Sequence, residues 1–525
     1  MKAKYFTTAV ATVAMVAVSF SACNSDDLYV GDTNISSQSG VAVLSNVPFA
    51  EEQALADIAL NPKNVSYNTA RKLALVEMET GIKESMNWQG TKLSQKPVVI
   101  YDGQSNAKYY EFIVTNQQGQ ELGTVTTCAQ KESDEIVACV LPFVRDYTAL
   151  NTKGSGYQLI SGGYPSRILL GVLGKAGEEP SAIIEPESGE TVFGIPVEGT
   201  QGLIQSLAAL SENEKAEYGI TNVNALIAEA KEKEVQRKAD AEEFWRIMDA
   251  ATSAIDATTD EDIITTINSS KSEWTSYDEY RIPEFYNLGM YYTRWDGWCG
   301  PSAVAWIYRG LYSSYYNGTF LPFYYSAGFT KLYYRGFDLS GTTGFYDFID
   351  KGDDDHDGLI NDLDKEWITL QSQNADGGLY ASIADTSGLY NYRGIAPKEG
   401  LTFPTGLSKA LSAITNGTYE IEISSGLVLN GGHAHIRSTH LPAILVVEGL
   451  SHMVTSFGSR YRYWNWNICG SAFGIKIFSV SGKIKTDTWA LVHDNGHLTG
   501  NWGYSPYWRG EVLGIDIAYK VIKLK

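Results

Sequence analysis

Cys299 is the residue of this sequence best placed to act as a nucleophile. It stands where a loop rich in tryptophan and glycine, RWDGW (294–298), passes into an apolar run with helical spacing: Ala303, Val304, Ile307, Tyr308 and Leu311. A thiol at that junction lies at a helix N-terminus. The unpaired N–H groups and the dipole there favour an anion, which lowers a cysteine pKa and makes a thiolate nucleophile. Gly300 and Pro301 suit the first turn, where proline loses no needed donor and glycine lets a substrate approach the backbone. The same context also fits a buried cysteine that packs as a small apolar group. What decides between the two is the rest of the chain.

A second cluster points to metal chemistry. In KGDDDHDGLINDLDKEW (351–367), counting from Asp353, acids fall at positions 1, 3 and 5 (Asp353, Asp355, Asp357). Gly358 follows at 6, the carbonyl-bearing Leu359 at 7 and Asp364 at 12. That is the spacing with which an EF-hand-type loop wraps oxygen ligands round Ca²⁺. Asp364 in place of glutamate resembles dockerin-like loops and weakens bidentate binding. The competing reading is a solvated acidic loop. A bound Ca²⁺ would be structural, pinning an insertion at 350–366, and the chemistry of Cys299 needs no cofactor. His433 and His435 alternate as on a strand, but no cysteine or acid is spaced to complete a zinc site, so they read as surface or core histidines.

WCGPSA (298–303) resembles the nucleophile segment of papain-fold cysteine peptidases, in particular the C39-like and streptopain-like groups. That resemblance implies a base far downstream at the start of a strand. LPAILVVEGLSHMVTSFGSRY (441–461) supplies it: a buried strand, a short turn, then His452 opening another strand. His452, 153 positions after Cys299, is the implied general base and imidazolium partner. A third group then orients the ring. WALVHDNGH (489–497) places Asp494 and Asn495 at the end of a strand, and NWG (501–503) resembles a further family element. The order of preference is Asp494, then Asn495, then Asn501. The family's oxyanion glutamine has no counterpart between Arg281 and Cys299. The hole would draw on the Cys299 backbone N–H with Asn287, Thr293 or the Trp295 indole.

A chain of 525 residues is too long for one core. Residues 1–22 read as a secretory signal: Lys2 and Lys4 precede a short apolar run ending in Ser21-Ala22-Cys23. A cysteine in that place resembles a bacterial lipobox, which makes Cys23 the lipidated first residue of the mature chain. The tether at 23–47, beginning NSDD, resembles that of surface-exposed lipoproteins of the Bacteroidetes type. The implied location is the outer membrane, reached through the lipid anchor. Residues 48–199 carry two helical runs and then alternating strands, an α+β module that resembles the prodomain of streptopain-like peptidases; a small adhesion or binding domain is the alternative. Residues 200–279 read as amphipathic helices, a connector. Residues 280–525 form the papain-like domain, so the expected fold class is α+β.

Cys128 and Cys139 flank a polar turn, and the sequence leaves a disulfide there open against two free thiols. A net charge of −20 argues against nucleic acid, because phosphate binding needs a basic surface. The expected activity is hydrolysis of peptide bonds in a peptide or protein substrate. The alternatives are an inactive surface binding protein on the same fold, or an amidase or transamidase.

Overall fold

The computed structural model describes residues 47–133, 136–145, 147–153, 156–162, 168–184, 186, 191–192, 199–269, 275–286, 299–311, 333–334, 337–338, 403–415, 417–423, 432–447, 450, 452–465, 484–494, 507–510 and 517–524. These residues form a mixed α+β structure on a large, mostly antiparallel sheet. The helices are α1 (Glu52–Ala59), α2 (Tyr67–Glu77), α3 (Lys83–Ser85), α4 (Thr148–Lys153), α5 (Gly199–Ala209), α6 (Glu212–Glu217), α7 (Val223–Ala257), α8 (Asp260–Ser269), α9 (Pro283–Tyr286), α10 (Cys299–Leu311), α11 (Pro404–Ile414) and α12 (His433–Thr439).

The N-terminal strands are β1 (Lys92–Leu93), β2 (Val98–Tyr101), β3 (Ala107–Thr115), β4 (Glu121–Cys128), β5 (Val137–Leu141), β6 (Gln158–Ser161), β7 (Ile168–Val172) and β8 (Ala182–Ile184). The later ones are β9 (Thr275–Arg281), a small β10–β11 ribbon (Tyr333–Tyr334, Phe337–Asp338), β12 (Tyr419–Glu422), β13 (Ala443–Val447), β14 (His452–Asn465), β15 (Ile484–Asp494), β16 (Tyr507–Gly510) and β17 (Ile517–Lys523). In space the order is β12-β17-β13-β14-β15-β16-β5-β4-β3-β2-β6-β7-β8, with β9 added to β14 and β1 to β3.

One consequence is that the sheet does not stop at the compositional boundary near residue 200. β16 hydrogen-bonds to β15 on one side and to β5 on the other, through Trp508↔Val140 and Arg509↔Cys139. The same seam is closed by side chains. The Trp508 indole N–H donates to the Ser85 hydroxyl at 3.0 Å. The Arg281 guanidinium donates to Ser85 at 2.8 Å and lies over the Trp508 ring at 5.6 Å.

Between the halves the helices are clamped by charge. Ser66 caps α2 by accepting the Thr69 N–H. Arg71 then forks onto Asp260 at 2.8 and 2.6 Å, and Lys72 donates to the Ile255 and Asp256 carbonyls at the end of α7. A cation there satisfies carbonyls that have no partner inside the helix. α2 runs on into a π-helical turn, Met78–Ile82.

One sequence expectation changes, and one question left open is answered. His433 and His435 lie on the helix α12, not on a strand. Gly432 precedes it at φ +68°, and a Cβ there would come within 2.9 Å of the Ala443 Cβ, so only glycine fits this start. Cys128 and Cys139, whose disulfide the sequence leaves open, are both buried and are not joined to each other. Cys139 stands opposite Thr126, two residues along β4 from Cys128, so the two thiols are diagonal neighbours and not a facing pair.

Burial pushes the His433 imidazole down to about 3, with Arg437 and Lys233 adding repulsion. The unfolded imidazole titrates near 6.5, so above that pH both states are neutral. Below it only the unfolded chain takes the proton. Stability is therefore expected to fall as the pH drops from about 6.5 towards 3, by up to ~1.4 kcal/mol per unit from this group. Urea titrations at several pH values check this, and His433→Gln should flatten that part of the acid limb.

Candidate functional site

α10 forms because its apolar residues recur at three-and-four spacing, and Ala303, Val304, Ile307 and Tyr308 are all buried. Cys299 is its first residue and is half-buried, packed against the core cluster that the helix completes. Cys299 thus heads a helix whose first-turn N–H groups have no intrahelical acceptor. Trp306, which the apolar count passed over, seats the helix. It lies 5.0 Å from the Phe457 ring, 5.2 Å from Phe285 and 4.4 Å from the imidazole of His493.

β14 begins at His452, and its ladder explains the seat. It pairs with β13 (Val447↔His452, Val446↔Met453) and with β15 (Val454↔Asp494, Thr455↔His493). A bulge between Ser456 and Gly458 leaves Phe457 outside the β15 register, and its carbonyl accepts the Ile282 N–H at 3.0 Å. Gly458 is required at this bulge. A Cβ there would meet the Leu491 Cβ at 2.8 Å and the Tyr280 carbonyl at 3.1 Å.

The seat of α10 follows from its contacts. Trp306 lies on His493 and Phe457, whereas Gly310, one turn later, lies against Phe285. Trp306 is about 10 Å along the helix from Cys299.

His452 is buried, at 3% exposure. It stands opposite Val447, on the face whose core holds Leu445, Val447 and Val454. α10 covers the other face, the side of Met453 and Phe457. His452 and the helix α10 thus belong to opposite faces of the sheet. Asp494 is the last residue of β15, cross-strand from Val454 and two ladder positions from His452. His493 is the histidine on the helix side. Its imidazole packs under the Trp306 ring at 4.4 Å.

Leu450, two residues before His452, is strained. It is buried and has φ +74°, the left-handed region that costs a branched side chain roughly 1–2 kcal/mol. Such outliers gather at functional sites.

Asn495, Asn501, Asn287, Thr293 and Trp295 lie outside the described residues, as do Cys23 and the acidic loop with Asp353, Asp355, Asp357, Leu359 and Asp364. Among the described residues no group of three or more His, Cys, Asp or Glu side chains is gathered as a metal site. No helix among them is long and apolar enough to cross a membrane. No family model, curated protein or solved structure matches the chain.

Proposed function

We propose that this chain is a surface lipoprotein, anchored through Cys23 in a bacterial outer membrane, whose C-terminal half is a papain-like cysteine peptidase. The observation that supports the reading is that Cys299 opens the helix α10, His452 opens β14 and Asp494 ends the neighbouring β15, the last two at the same end of the sheet. The thiolate of Cys299 attacks the scissile carbonyl carbon, and His452 as imidazolium gives its proton to the leaving amine as the C–N bond breaks. The neutral imidazole then takes a proton from water, which attacks the thioester carbon and releases the acid and the thiolate. Asp494 holds the ring in the useful tautomer. The oxyanion hole uses the Cys299 N–H with a donor from Asn287, Thr293 or Trp295.

The acidic loop at 350–366 would hold a structural Ca²⁺. Residues 48–199, prodomain-like in sequence, stay attached in this reading, because removing them would strip β5 from β16 and expose a strand edge. The absence of a glutamine before Cys299 favours a second reading, a surface binding protein on the same fold without the chemistry. Hydrolysis of an unfolded protein substrate, blocked by a thiol-directed epoxide, tests the first reading. Turnover that survives complete alkylation of Cys299, or no turnover with any peptide or amide, contradicts it.

A further inference from the structure

We infer that Tyr218, in the helical connector, is the positioning residue for His452, an assignment that rests on the peptidase reading above. Leu450 lies two residues before His452 and holds a left-handed backbone that leucine does not favour. A strained residue keeps such a conformation only where its surroundings fix it. Here the Tyr218 hydroxyl donates to the Leu450 carbonyl at 3.3 Å, in a buried setting. Tyr218 is itself fixed from two sides. The Tyr519 hydroxyl of β17 donates to its carbonyl at 2.7 Å, and the Phe403 ring meets it edge-on at 5.3 Å. Burial pushes the Tyr519 phenol well above its usual range, so that donor keeps its proton.

Tyr218 directly follows the last residue of α6, whose Ser211–Glu214 capping box holds the short helix in place, and Glu217 accepts the Thr405 hydroxyl at the start of α11. The connector therefore grips Leu450, two residues before His452. A connector movement would reach the imidazole through one hydrogen bond, without touching substrate.

The test is Tyr218→Phe in the full chain, which keeps the ring against Phe403 and removes only the hydroxyl. Two readouts are taken: the ring resonance and titration of His452 in histidine-labelled protein, assigned by its loss in His452→Ala, and the pH profile of Cys299 alkylation. The variant should move the His452 titration and slow alkylation below neutral pH by about tenfold, the size of one hydrogen bond. Leu450→Gly, which takes φ +74° without strain, should restore both in the Tyr218→Phe background. An unmoved His452 titration, or no rescue by glycine, overturns the inference. If instead the His452 titration moves and is rescued while His452→Ala leaves Cys299 alkylation unchanged, the positioning stands and the peptidase reading fails.

Discussion

Alanine at Cys299 will abolish peptide hydrolysis, and alanine at His452 will do nearly the same. Each loss should be about three orders of magnitude or more in kcat/KM, because nucleophile and base act as one unit. For the same reason the double variant should be hardly worse than either single one. The fold should tolerate the Cys299 change. The residue is half-buried at a helix start, and losing one sulfur there costs about 1 kcal/mol or less. Steady-state rates beside urea midpoints separate the two effects. Full activity in Cys299→Ala would remove the thiol from the mechanism altogether.

The largest stability effect is expected far from that site, at Glu111. Its carboxylate is fully buried and accepts the Arg145 guanidinium at 2.9 and 2.6 Å and the Tyr147 hydroxyl at 2.6 Å, with Thr126 at 3.2 Å. Burial and the Glu111 charge push the Tyr147 phenol well above its usual range, so it remains a donor. Glu111 stands opposite Thr126, Thr126 opposite Cys139, and Cys139 opposite Arg509, so the cluster lies in line with the seam between the two halves of the sheet. Glu111→Ala removes the carboxylate that pairs with the buried Arg145 and should cost about 3–5 kcal/mol. Replacing the set together, Glu111→Leu with Arg145→Met and Tyr147→Phe, should cost much less, since no desolvated charge remains. Urea denaturation decides this. A single alanine variant within about 1 kcal/mol of the parent would contradict the account.

Much of the architecture could be read from local pattern. The runs at 97–101, 109–115, 123–128 and 136–143 correspond to β2, β3, β4 and β5, and the apolar spacing after Cys299 to α10. His452 does open a strand, and Asp494 does end the neighbouring one. What local pattern does not carry is contact over long sequence distances. Nothing near Trp508 announces that its strand pairs with Val140, and nothing near Tyr218 announces that it holds Leu450. α12 was missed because HAHIR alternates like a strand. Its start is fixed instead by a left-handed Gly432 pressed against Ala443. Trp306 and His493 were missed because each reads as ordinary core until the ladder sets one beneath the other.

The most direct test of the central claim is the pH dependence of Cys299 alkylation, followed by intact mass and peptide mapping on the unlipidated chain and its His452→Ala variant. Cys128 and Cys139 are buried, and burial pushes the Cys139 thiol up, so neither competes in the folded state. The account predicts fast labelling of Cys299 below neutral pH, slowed sharply when His452 is removed. Labelling only at alkaline pH, with the same profile in His452→Ala, would mean that the thiol and the imidazole do not form a pair.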